Sequence, residues 1–132
     1  MTNKARVQSA IESANRGNFA HARTVVIDLI AEDWHNAEAH RAWGRVLLQE
    51  GKASDAVAAY RVAVSLNDRS PQLHFEFAAA LLAETEKYSF IPLPNWVEAR
   101  EAIENGLLLS PDHPTGLDML KMLDANRDQA LA

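Results

Sequence analysis

At 132 residues the chain has about one domain's length, enough to bury a core without metals or disulfides. It contains no cysteine, which excludes disulfide frameworks and thiolate metal sites. A formal net charge of −5 speaks against a nucleic-acid-binding face, and no window approaches the roughly 18 apolar residues of a membrane span.

The opening stretch MTNKARVQSAIES lacks the apolar core of a signal peptide, so a cytoplasmic location is expected. Capping and breaker signals then predict seven helices, at about 3–15, 19–32, 37–50, 54–66, 71–84, 95–109 and 114–127. Ser70-Pro71 reads as an N-cap followed by proline at the first helical position. Asn95 to Glu98 has the spacing of a capping box, and Pro114 opens the last helix.

These helices recur with a fixed period of 34 residues. Gly17 and Gly51 stand one period apart, as do Ala22 and Ala56. So do the rows Ala10, Gly44, Ala78 and Ser13, Leu47, Leu81, and a further row holds Arg6, His40 and His74. Small residues at Gly44, Ala56 and Ala63 beside large ones at Trp43, Leu47, Tyr60 and Leu66 indicate two helices that cross closely. A side chain larger than alanine at Ala56 would hold them apart.

This pattern resembles the tetratricopeptide-repeat family, whose unit is a helix–turn–helix of the same length. The middle unit matches it with Trp43-Gly44, Gly51, Ala56 followed four residues on by Tyr60, and Ala63. It departs by carrying His40, Leu47 and Asp68 where the family has two aromatics and a closing proline. The first unit is more degenerate, and the third keeps Phe77-Ala78, Leu81, Ala99, Ile103 and Pro111. The resemblance implies an all-α fold: a right-handed solenoid forming a single domain over 1–132. Its repeats would span about 3–36, 37–70 and 71–113, with a capping helix at 114–127 over an otherwise exposed apolar end.

Ala56 and Ala99 are 43 residues apart, nine more than the period, so the third repeat carries an insertion within 85–95. Pro92 and Pro94 are expected to stiffen it towards an extended conformation. Tyr88, Phe90 and Ile91 either fold back to extend the core or form a lip that shapes a groove.

No catalytic constellation is visible. The five histidines make no H-E-x-x-H pair, no glycine-rich phosphate loop is present, and carboxylate pairs such as Glu84/Glu86 fall on surface-type positions. His40 and His74, one period apart, are expected to pack in or at the edge of the core, and His35 to be solvated in a turn. Neither enzyme activity nor a metal or other cofactor is expected.

In the family, the first helix of each repeat lines a concave face where partner peptides lie. That implies a groove formed by Val7, Ile11, Arg41, Arg45, Leu48, Phe75, Ala79 and Leu82, an apolar stripe with two arginines one turn apart. The family's carboxylate-clamp places hold Val7, Ile11, Ala42, Gln72 and Glu76 here, so that ligand class is set aside. The expected partner is a protein or peptide segment with apolar anchors and an acidic residue. Two alternatives remain open: self-association into a homo-oligomeric adaptor, or filling of the groove from within the chain. A secretion-chaperone-like holder of partner segments is a further reading.

Overall fold

The computed structural model describes residues 1–127. It holds seven helices among the described residues: α1 (Asn3–Asn15), α2 (Phe19–Glu32), α3 (Ala37–Gln49), α4 (Ala53–Leu66), α5 (Pro71–Ala83), α6 (Leu93–Leu109) and α7 (Pro114–Ala125). The chain divides into two compact units, one spanning Met1–Asn67 and the other beginning at Asp68.

In the first unit α1 pairs with α2 and α3 with α4, and α3 also packs on both α1 and α2. The two hairpins turn on Gly17 and Gly51, both at φ +82°, a left-handed conformation that suits glycine. The amides following each helix close a matched pair of bonds. Asn18 N donates to Ser13 O at 2.8 Å and Gly17 N to Ala14 O at 3.0 Å. One period on, Lys52 N donates to Leu47 O at 2.8 Å and Gly51 N to Leu48 O at 3.0 Å. Helix starts are capped by side-chain oxygens: Asn18, Asn36 and Ser70 accept from His21 N, Ala39 N and Leu73 N.

The close crossing of α3 and α4 rests on glycine. A Cβ at Gly44 would lie 2.7 Å from the Tyr60 ring, which is itself wholly buried with Ala56 and Ala63. The core of this unit runs through Val7, Ala10, Ile11, Val26, Leu29, Ala42 and Val46.

The second unit packs α5 on α6 and α6 on α7. Phe75, at 1% exposure, sits at its centre. A Cβ at Gly106 or Gly116 would come within 2.4 or 2.5 Å of its ring, and His113 stacks on it with centroids 4.8 Å apart. Trp96 Nε1 donates to Leu123 O at 2.9 Å, tying α6 to α7.

The expected capping box at Asn95 is corrected by the structure: α6 begins two residues earlier, with Pro92 as N-cap and Pro94 in its first turn. Proline fits there because its missing N–H would have no helical partner. Asn95 turns instead to the end of α5, donating to Leu81 O at 3.2 Å and Glu84 Oε1 at 3.4 Å.

Candidate functional site

In the first unit α3 carries Arg41 and Arg45 one turn apart, both partly buried. Arg41 Nη1 pairs with Glu38 Oε2 at 3.1 Å, and Glu38 belongs to the first turn of the same helix. Leu48 is half-buried beside them in sequence, and Gln49 Nε2 donates to Asn15 Oδ1 of α1 at 2.8 Å. Asn15 and Gln49 are one period apart, so the repeat itself aligns a polar rung across α1 and α3.

Val7 and Ile11 do not join this face. Both are buried among α1, α2 and α3, so the apolar stripe expected there is a polar and basic surface with Leu48 as its apolar member. In the second unit Phe75 is likewise unavailable, its ring enclosed by α6 and α7, while Ala79 is exposed and Leu82 half-buried on α5. Helical spacing placed these residues on one face of their helices. It could not say which neighbouring helix covers that face.

Tyr88 and Phe90 of the insertion remain about half exposed and stack on each other, centroids 5.7 Å apart, while Ile91 is half-buried. Thr85 is buried at the base of the loop and donates from Oγ1 to Leu82 O at 2.7 Å.

A groove not anticipated from the sequence lies in the first unit, between α2 and α4 with α3 as its floor. Its cavity volume is about 690 Å³, and its walls include Ile27, Ile30, Trp34, Trp43, Ala58 and Val62. Ile27 and Trp34 are more than half exposed at its rim. At one end Glu50 is gripped by Arg23 and by Lys52, the latter at 3.2 Å. Desolvation raises the Glu50 pKa, but hydrogen bonds and charge from Lys52 and Arg23 outweigh it and leave the carboxyl below its ordinary range. At the other end of α2, Arg6 donates to both carboxylate oxygens of Glu32, at 2.7 and 3.0 Å. Their mutual hydrogen bond raises the pKa of Arg6 and lowers that of Glu32.

Among the described residues no three histidine, aspartate or glutamate side chains gather as a metal site requires, and no helix is long and apolar enough to cross a membrane. No protein-family model and no curated protein sequence matches the chain. Solved structures do. The first TPR domain of human RPAP3 superposes with a TM-score of 0.81 at 16% identity, over 97% of this chain and 94% of that one. The first TPR of Spaghetti (RPAP3), solved with the HSP90 peptide SRMEEVD, gives 0.77 at 17% identity over 93% and 90%. The Yersinia enterocolitica type III secretion chaperone SycD, solved with a peptide of the translocator YopD, gives 0.75 at 16% identity over 94% and 93%.

The fold is of the tetratricopeptide-repeat type. Within that repeat, Arg6, His40 and His74 occupy one position, and each fastens the helix it begins. His40 Nε2 lies 2.8 Å from Trp34 O, His74 Nε2 lies 2.8 Å from Asp68 O, and Arg6 holds Glu32. The repeat glycines and close-packed alanines were legible because they recur. The α2/α4 groove was not, although Arg23, Ile27 and Ile30 on its α2 wall step by four and three residues.

Proposed function

We propose that this protein is a non-catalytic interaction module that captures a peptide or protein segment on a surface of its tetratricopeptide-type repeats. The observation that carries the reading is the fold, shared at TM-scores of 0.75 and 0.77 with domains solved with peptides bound. Arg41 and Arg45 supply the recognition chemistry on α3. A guanidinium holds a carboxylate through two parallel N–H bonds while its stem packs on apolar neighbours such as Leu48. Glu38 holds Arg41 in the free protein and is displaced or joined by the partner's acidic group.

The partner differs from the acidic C-terminus of a chaperone, because the clamp places hold Val7, Ile11, Ala42 and Glu76, all buried, and exposed Gln72. The apolar anchors fall to Leu48 on α3, to Ala79 and Leu82 on α5, and to Tyr88, Phe90 and Ile91 of the insertion. A holder of partner segments, as in the SycD complex, is the nearest model of use.

Reversing both charges, Arg41→Glu with Arg45→Glu, tests this. Partners captured from native lysate by the wild-type protein and identified by mass spectrometry should be lost, with the melting temperature nearly unchanged. A desolvated interfacial charge pair contributes about 2–5 kcal/mol when broken, so a single reversal should also register. Capture at wild-type yield by the double variant would remove the α3 face from consideration.

A further inference from the structure

We infer that the groove between α2 and α4 is a binding site for an uncharged, mainly apolar small molecule that carries a hydrogen-bond-accepting oxygen. Arg41, Arg45 and Leu48 do not line it, so the site is distinct from the surface assigned to partner capture. Its volume of about 690 Å³ lies within the roughly 300–1,000 Å³ of small-molecule pockets. The space exists because small residues stand among large ones. Ala31 on α2 and Ala58 on α4 are both exposed, in walls that also carry Ile30 and Val62 above the Trp43 floor.

Two observations choose the chemistry of the ligand, and the first is charge. The charged side chains of the lining are Arg23, Lys52 and Asp55. Glu50 already holds both cations, and its own side chain is only 8% exposed. Two positive and two negative charges therefore balance at this end. An ionic ligand would have to break the Glu50 pairs, leaving an enclosed charge without its partner, or face a like charge. A neutral molecule does neither. The second observation is hydrogen bonding. Of the three tryptophans, Trp96 donates from Nε1 to Leu123 O. Trp34 and Trp43, both in the groove, have no acceptor for the indole N–H among the described residues. Trp43 is partly buried, where an indole N–H ordinarily has a partner. A ketone, ester or amide oxygen on the ligand supplies that partner, while the indole rings and Ile30 take its apolar body.

The neutral ketone dye prodan tests this with the full chain. Its emission should shift to the blue and saturate at one dye per protein, and the anionic sulfonate dye ANS should bind about tenfold more weakly or worse. Ala58→Phe puts a ring into the groove from an exposed position. It should weaken prodan binding by about tenfold or more, with far-UV circular dichroism as in wild type. Trp43→Phe keeps an aromatic floor and removes the N–H, so it should weaken prodan binding roughly three- to tenfold. The same dye with its ketone replaced by an alkyl group should bind that variant as it binds wild type. Leu108→Ser, on α6 and 80% exposed at the wild-type residue, should leave both dyes unaffected. No saturable shift, ANS binding as tight as that of prodan, or prodan binding that Ala58→Phe leaves intact overturns the proposal. So does dye release as the protein is concentrated, which would put a second copy in the groove. Equal losses of the two dyes in Trp43→Phe would overturn the acceptor oxygen.

Discussion

His40 lies with Nε2 2.8 Å from the carbonyl oxygen of Trp34, six residues back across the turn between α2 and α3. A carbonyl only accepts, so the imidazole donates and Nε2 carries the proton. His74 repeats the bond to Asp68 O in the second unit, and both rings are buried. His40→Ala or His74→Ala leaves a cavity and a carbonyl without its donor, and should each destabilise the protein by about 2–4 kcal/mol in urea unfolding. A loss below about 0.5 kcal/mol would show that the bond is idle.

Gly44 and Ala56 should reject larger side chains. The Cβ of Gly44→Ala would meet the Tyr60 ring at 2.7 Å, and Ala56→Leu forces three further heavy atoms into a site with no exposed surface. Overpacking of this kind costs about 1–3 kcal/mol. Tyr60→Leu should lessen the penalty of Gly44→Ala in a double-mutant cycle, because it removes the ring that the new methyl strikes.

Glu50 should give the protein an acid-sensitive element. Its carboxyl is lowered from 4.5 in the folded chain, so its contribution is complete above that pH and is lost as the pH falls through the lower folded value. Glu50→Gln should therefore melt below wild type at neutral pH, with the difference narrowing as the pH drops below 4.5. A difference that stays constant from neutral to acid would show that the Arg23 and Lys52 contacts contribute nothing through charge.

The insertion should separate into a dispensable tip and an anchored base. Tyr88→Ser with Phe90→Ser removes two half-exposed rings and should change stability by no more than about 0.5 kcal/mol. Asn95→Ala removes the bonds to Leu81 O and Glu84 and should cost about 1 kcal/mol. Calorimetry of the two variants side by side reads the contrast, and the reverse order would place the rings in the core.

The sequence alone determined the helices, their period and their turns, because each depends on residues a few positions apart. Gly17 and Gly51 take the left-handed conformation the turn demands, and Ser70 and Pro71 open α5 by local bonding. Small residues at the crossing were visible because the repeat shows them at matching places. Tertiary structure decided which apolar residues any partner can reach. Periodicity puts Val7, Ile11 and Phe75 on the inner side of their helices, but only the packing of α2 and α3, or of α6 and α7, closes over them. The start of α6 was likewise settled at a distance, when the Asn95 amide found the end of α5 rather than its own helix. The α2/α4 groove depends on the spacing of two helices 34 residues apart, fixed by the size of the side chains on α3 between them.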